Sequence, residues 1–353
     1  MKSIFLTFLS ILFFALHAKS QQTFNISGTV SNTKGEKIQA ATVFIAGSQK
    51  STVTDANGSF QFPNTAPGAY QVIINMLGYN SIKHNVSLKD KSIVVDTVMQ
   101  DKSITLEGVN IGNKSQREKQ LKTFIKYFMG ESENAKACKI LNPDIIEFST
   151  FKNELRATTD DFLIIENNNL GYRVKYLLRS FIYDDVKDAT GYDGEPIFEQ
   201  LEGTTAQKEL WQSNRKAAYQ GSLMHYLRAM YNNTARKEGF LTYAVQNFSL
   251  PVMIAPNPVG TEQLIAHPDS SFMVFKYKKR LYTVYDKKKA EEEDKLSTRS
   301  AIAITMDKTG SVLMLHADVD SRGNYASTKP LLIQGFWGKK RIGDQLPLEY
   351  QPN

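Results

Sequence analysis

The sequence predicts a multi-domain protein, an N-terminal all-β sandwich over residues 24–111 followed by an α+β region with mostly antiparallel strands. Three observations predict it. Up to Ile111, short alternating runs are broken by turn residues at the spacing of a β-sandwich. After Ile111 an apolar repeat of helical period begins. From Ile145 onward, strand-like and helical stretches mix, with no internal repeat and no low-complexity tract.

The chain has 353 residues and opens with Met1, Lys2 and Ser3 before an apolar run from Ile4 to Leu16. A short basic start and an apolar core are the pattern of a secretory signal peptide, expected over residues 1–20. The run is short of the roughly 20 apolar residues that a membrane span needs. Ala18 and Ser20 suit a cleavage site, which places the mature N-terminus near Gln21. No later stretch approaches a span, so the expectation is an exported protein of the periplasm or the outer-membrane surface.

Without residues 1–20 the chain carries 41 basic and 36 acidic residues, a net charge of +5. That mild excess permits contact with acidic polymers and singles out none. Nucleic acid is a poor partner for an exported protein. Cys138 is the sole cysteine, so no intramolecular disulfide forms, and no His lies near it in sequence to activate a thiol.

In the first module, alternation is visible in Phe24–Val30, Thr42–Ile45 and Tyr70–Ile74. Turns are expected at Thr33-Lys34-Gly35, Asp55-Ala56-Asn57-Gly58 and Ala66-Pro67-Gly68. Asp55 and Asn57 can bond nearby backbone and Gly58 can take positive φ, which leads into the strand Ser59–Phe62. Phe60 and Phe62 then share one face, the expected core face.

The string Gly28-x-Val30, Gly35, Ala41-x-Val43, Thr54-Asp55-x-x-Gly58-x-Phe60-x-Phe62, Pro67-Gly68-x-Tyr70 and Gly78-Tyr79 resembles the carboxypeptidase-regulatory-like domain. This is a transthyretin-like β-sandwich of Bacteroidota envelope proteins, often found at the N-terminus of TonB-dependent receptors. Leu106–Ile111 is similar to the strand that leaves the module there. No plug or barrel pattern follows, so the resemblance does not imply receptor function. It does not imply carboxypeptidase activity either. Zinc sites of that kind use His-x-x-Glu with a distant His. None of His84, His225, His267 and His316 has Glu three residues later.

Residues 112–143 read as a helical linker. Ser115-Gln116-Arg117-Glu118 is a capping box, and Leu121, Phe124, Ile125 and Phe128 recur at helical spacing before Gly130. A second short helix is expected over Glu133–Cys138. Residues 144–353 form the expected C-terminal domain. Phe162–Ile165 and Tyr172–Tyr176 flank Asn167–Gly171 as a hairpin, and Pro196–Glu199 reads as a strand. One long helix is expected over Gln207–Lys237, with Tyr219, Leu223, Tyr226, Leu227 and Met230 as its apolar stripe. Strands are expected at Phe272–Tyr277, Leu281–Tyr285, Ala301–Met306 and Val312–Leu315, with Asp307–Gly310 turning between the last two. Tyr219–Arg228 and Gly335–Tyr350 also resemble uncharacterised exported Bacteroidota proteins that carry the same module.

Four constellations bear on chemistry. His316, Asp318 and Asp320 would face one side of a strand, and a His with two carboxylates can ligate a transition metal. A solvated strand end gives the same string. Ser222 and His225 could join an Asp in a triad, but no Gly-x-Ser-x-Gly elbow supports it. His225 and Arg228 read as an exposed polar pair. Lys276, Lys278, Lys279, Arg280 and Lys287–Lys289, interleaved with Tyr277, Tyr282 and Tyr285, could hold an anionic glycan or lipid headgroup. Glu291–Asp294 offsets that charge, and a charged hairpin with a solvated tip is the expected form. Asp96-Thr97-Val98 resembles a short O-glycosylation acceptor of exported Bacteroidota proteins.

The expected function is that of a non-catalytic envelope protein that binds a partner protein or a surface glycan, an anionic one included. The alternative is a metal-assisted hydrolase using His316, Asp318 and Asp320. Catalytic, cofactor and metal residues are not assigned.

Overall fold

A computed structural model describes residues 23–102, 114–249, 251–277, 279–292, 297–304, 309–326 and 331–352. The expected signal peptide and the Leu106–Ile111 strand lie outside the described residues.

Among the described residues the N-terminal sandwich has eight strands: β1 (Phe24–Asn32), β2 (Thr42–Ile45), β3 (Ser51–Val53), β4 (Ser59–Thr65), β5 (Gly68–Asn75), β6 (Ile82–Leu88), β7 (Ile93–Val94) and β8 (Thr97–Met99). One sheet joins β4, β1, β7 and β8, and the other runs β3-β2-β5-β6. Between them lie Ile26, Val30, Val43, Phe60, Phe62, Tyr70, Val72 and Ile74, the inward residues of alternating strands. The Asp55 turn forms as expected. Its Oδ1 accepts from the backbone N–H of Asn57 and Ser59. Gly58 sits at φ +68°, where glycine is favoured.

The next layer begins with α1 (Lys114–Met129) and the short α2 (Glu133–Lys136). The stretch read as a linker contributes to a core: Phe124 and Phe128 are fully buried, stack on each other and meet Phe181 edge-on. The sheet beneath contains β9 (Cys138–Ile140), β10 (Ile146–Phe151), β11 (Glu154–Thr159), β12 (Leu163–Asn167), β13 (Tyr172–Asp184) and β14 (Ala189–Gln200). β11 and β12 share one edge of the long β13, and β14 takes its other edge along the whole length. The expected β12–β13 hairpin is present. Asn167 Oδ1 accepts from Asn169 and Leu170, and Gly171 has φ +66°.

The expected long helix is two. α3 (Thr205–Tyr219) starts at a Thr204–Gln207 capping box and stops at Gly221, whose φ is +73°. Ser222 then caps α4 (Leu223–Tyr231) by accepting from the His225 N–H. The apolar stripe is core as read: Tyr219, Tyr226, Leu227 and Met230 are buried.

Two further sheets complete the chain. One runs β20-β16-β15-β19-β21-β24, using β15 (Phe240–Asn247), β16 (Val252–Ile254), β19 (Leu281–Tyr285), β20 (Ile302–Ile304), β21 (Gly310–Met314) and β24 (Leu332–Gly335). The other runs β17-β18-β22-β23, from β17 (Ile265–Ala266), β18 (Phe272–Phe275), β22 (Asp318–Asp320) and β23 (Tyr325–Ala326). Two expected hairpins are therefore not formed by the described strands; Asp307 and Lys308 of the second turn lie outside the described residues. β18 and β19 belong to different sheets, so they do not form the expected basic hairpin. β20 pairs with β16, and β21 pairs with β19 and β24. The fold class stands: a β-sandwich followed by α+β layers, with mostly antiparallel pairing and parallel pairing of β1 with β7 and β8.

Candidate functional site

The sandwich is seated on the rest of the chain through the β3-β2-β5-β6 sheet. Phe44 and Ile73, on the outer face of that sheet, are fully buried against Leu177 and Ile197 of the neighbouring sheet. Backbone bonds cross beside this apolar contact. Gly47 N–H donates to Pro196 O at 2.8 Å, and Phe198 N–H donates to Ser48 O at 2.9 Å. Ser48 and Ile197 pair as a parallel bridge, which covers the otherwise open side of β14. The C-terminal tail joins the same joint: Leu348 N–H donates to Gly47 O at 2.9 Å, and Glu349 accepts from Gln49 N–H at 3.0 Å.

Charged groups close both ends. At one end Asp320 has no exposed surface. Its Oδ2 accepts from Ala69 N–H at 3.0 Å and pairs with Arg322, which donates in turn to Ala69 O. Its Oδ1 accepts from the N–H groups of Arg322 and Asn324. The Arg322 guanidinium also lies 4.2 Å from the centroid of the Tyr70 ring. Burial pushes the Tyr70 hydroxyl up to about 12, against the pull of that guanidinium. At the other end the buried Glu195 meets Lys83 of β6 at 2.6 Å and Arg179 of β13 at 3.0 Å. Its carboxyl stands above the usual range because burial outweighs both cations.

The constellations read from the sequence are placed as follows. Asp320 is committed to Ala69, Arg322 and Asn324, Asp318 is exposed, and His316 precedes β22. Among the described residues no three His, Cys, Asp or Glu side chains are grouped to hold a metal ion. His225 and Arg228 are buried, each 6% exposed, which corrects the reading of an exposed pair. His225 Nδ1 accepts from Gly221 N–H at 3.0 Å and Nε2 faces Glu238 at 2.8 Å. Burial holds its pKa below the ordinary value despite Glu238. With Nδ1 occupied by backbone and Ser222 used as a helix cap, this pair has no nucleophile geometry. Arg228 fastens the tail by donating to Leu348 O, Tyr350 O and Arg322 O. Thr97 is buried and bonded to His84, so the glycosylation-like triplet presents no accessible hydroxyl. Burial raises the Cys138 thiol to about 12, the range of an inert structural thiol.

Sequence reading missed a cleft of about 480 Å³ where the sandwich, α3 and the C-terminal tail meet. Helix α3 contributes Glu209, Gln212, Ser213, Arg215 and Lys216; the tail contributes Pro347, Glu349, Tyr350 and Gln351. Gln49 reaches in from the sandwich, and Tyr172 and Gln200 from the adjacent ends of β13 and β14. The Arg215 guanidinium stacks 3.9 Å over the Tyr172 ring and donates to the Leu170 and Gly171 carbonyls. Only the polar face of α3, at 209, 212, 213 and 216, signalled this cleft in sequence, and a solvated helix gives the same pattern.

Comparison with known proteins places the first module. The TonB-dependent receptor SusC of Bacteroides thetaiotaomicron is 29% identical over 105 residues, 28% of this chain and 10% of the receptor. The chain thus spans about a tenth of that relative's length. Among solved structures, a DUF3823 family protein from Bacteroides ovatus aligns over 51% of this chain and all of its own, at 9% identity and a TM-score of 0.19. The 3-chlorocatechol 1,2-dioxygenase of Rhodococcus opacus aligns over 24% of this chain and 63% of its own, at 11% identity and a TM-score of 0.21. Residues 26–111 match the family described as the CarboxypepD_reg-like domain. The N-terminal sandwich of this chain is therefore a carboxypeptidase-regulatory-like domain.

Proposed function

We propose that this is a non-catalytic protein of the bacterial envelope. In this reading it binds a partner protein or a surface glycan at the cleft between the carboxypeptidase-regulatory-like domain, α3 and the C-terminal tail. The observation that carries the reading is the contrast between two sets of polar groups. Asp320, His225, Ser222 and Arg228 are spent on tertiary structure, whereas Gln49, Gln200, Gln212, Ser213 and Gln351 are gathered around one open cleft. The similarity to an envelope receptor supports the location. No helix among the described residues is long and apolar enough to cross a membrane. We further propose three units along the chain: the sandwich over 24–111, the helical segment 112–143 and the C-terminal domain from 144. The test is capture from envelope extract by the purified chain, repeated with Gln200→Ala/Gln212→Ala. A binder lost with the double variant supports the reading. Equal capture by both proteins removes the cleft from it. Fractionation of the native host should place the protein with the periplasm or outer membrane.

A further inference from the structure

We infer that this cleft takes a short, neutral, hydroxyl-rich ligand, a saccharide. The inference rests on the proposed binding role and names the ligand class. Four amide side chains, of Gln49, Gln200, Gln212 and Gln351, and the Ser213 hydroxyl line one space. Each amide offers both donors and an acceptor, and the hydroxyl offers both roles, which matches sugar hydroxyls that donate and accept at once. None of the five makes a side-chain hydrogen bond to another described residue, so these groups are uncommitted.

Charge selects against an ionic ligand. Arg215 and Lys216 are balanced by Glu209 and Glu349 in the same lining, which leaves no net attraction for an anion or a cation. Shape and lining select against a peptide. Pockets for apolar ligands or side chains are lined predominantly by hydrophobic and aromatic groups. Here the apolar contribution is Pro347 with the rings of Tyr172 and Tyr350, and the Tyr172 face is already covered by Arg215. The volume of about 480 Å³ lies within the span of small-molecule sites, on the scale of a short saccharide. Arg215 is fixed by two carbonyls and a ring, so it presents its remaining N–H groups in a set direction.

The test is calorimetric titration of the purified chain with neutral di- and trisaccharides of glucose, galactose and mannose, alongside uronate disaccharides of similar size. The expected result is saturable binding of at least one neutral sugar, weakened about tenfold or more by Gln200→Ala/Gln212→Ala, as the loss of two hydrogen bonds requires. Leu210→Ser, on the same helix but outside the cleft, should leave affinity unchanged. Both sites are exposed, so folding is preserved, and thermal melts check this. The inference is overturned if no neutral sugar binds, if only uronates bind, or if the double variant binds as well as wild type. If no sugar binds but the double variant loses an envelope protein captured by wild type, the saccharide inference falls and the binding role stands. If neither is seen, both fall.

Discussion

Asp320, itself without exposed surface, accepts from three backbone N–H groups and pairs with a half-buried guanidinium. Asp320→Ala leaves Arg322 and the Ala69 N–H without their acceptor, and breaking a buried pair in this way costs roughly 3–5 kcal/mol. A large fall in the urea midpoint is expected; a shift within experimental error refutes the account. His225 titrates with a definite sign. Its pKa lies below the ordinary 6.5 in the folded state, so its contribution is fully present above 6.5 and is lost as pH falls through the lowered value. Wild type should therefore lose more thermal stability than His225→Gln on going from neutral to mildly acidic pH. Parallel curves would falsify this. Residue identities were legible in the sequence but their burial was not. Nothing around His225 or Arg228 along the helix announces that Glu238, thirteen positions on, and Leu348 and Tyr350, more than a hundred positions on, converge on them.

Among elements, β1 shows the tightest local constraint. A Cβ on Gly28 would sit 2.1 Å from the Val95 carbonyl oxygen, a backbone atom. Gly28→Ala is expected to destabilise by about 1–3 kcal/mol through overpacking, read as a lowered melting temperature. The tail is the other element with a sharp prediction. Removing residues 347–353 takes away the Leu348 bond to Gly47 and two of the acceptors of Arg228. Amide exchange should then speed up in Gly47–Lys50 while the Phe60–Phe62 strand keeps its protection. The sandwich strands were readable because alternation and the Asp55–Gly58 turn are local signals. The α3–α4 break was written in Gln220-Gly221-Ser222, yet apolar spacing on both sides imitates one continuous helix. The missing hairpins fail for a related reason. β18 and β19 are neighbours in sequence, but each pairs with a strand from elsewhere: β18 with the short β22 around Val319, and β19 with β15 around Tyr243.

At the scale of the molecule, the joint between the sandwich and the layers beneath it governs stability. Deleting residues 24–111 would expose Leu177 and Ile197, so the truncated chain should bind a hydrophobic dye and aggregate. A cleanly soluble, dye-silent fragment would contradict that. Glu195 gives the joint its own pH signature. The folded pKa exceeds the ordinary 4.5, so the contribution is fully present below 4.5 and is lost as pH rises through the raised value. The melting temperature of wild type minus that of Glu195→Gln should grow as pH falls from neutral toward 4.5. The module's identity was legible from its glycine, aspartate and aromatic positions. Its seating was not, because contacts such as Lys83 with Glu195 and Ala69 with Asp320 join residues more than a hundred positions apart, and no local pattern encodes them.

The main-chain bonds at Gly47, Ser48, Pro196, Phe198 and Leu348 have a genetic corollary. These amide and carbonyl bonds form whichever side chains their residues carry, unlike the apolar contact of Phe44 and Ile73 with Leu177 and Ile197 beside them. Alanine scanning there would report the buried Ser48 hydroxyl, which bonds Ile45 O and Lys50 N–H, and the positive φ of Gly47, while leaving the main-chain stitching itself in place. Only a change that deletes an N–H, such as proline at Leu348, would bring it into view.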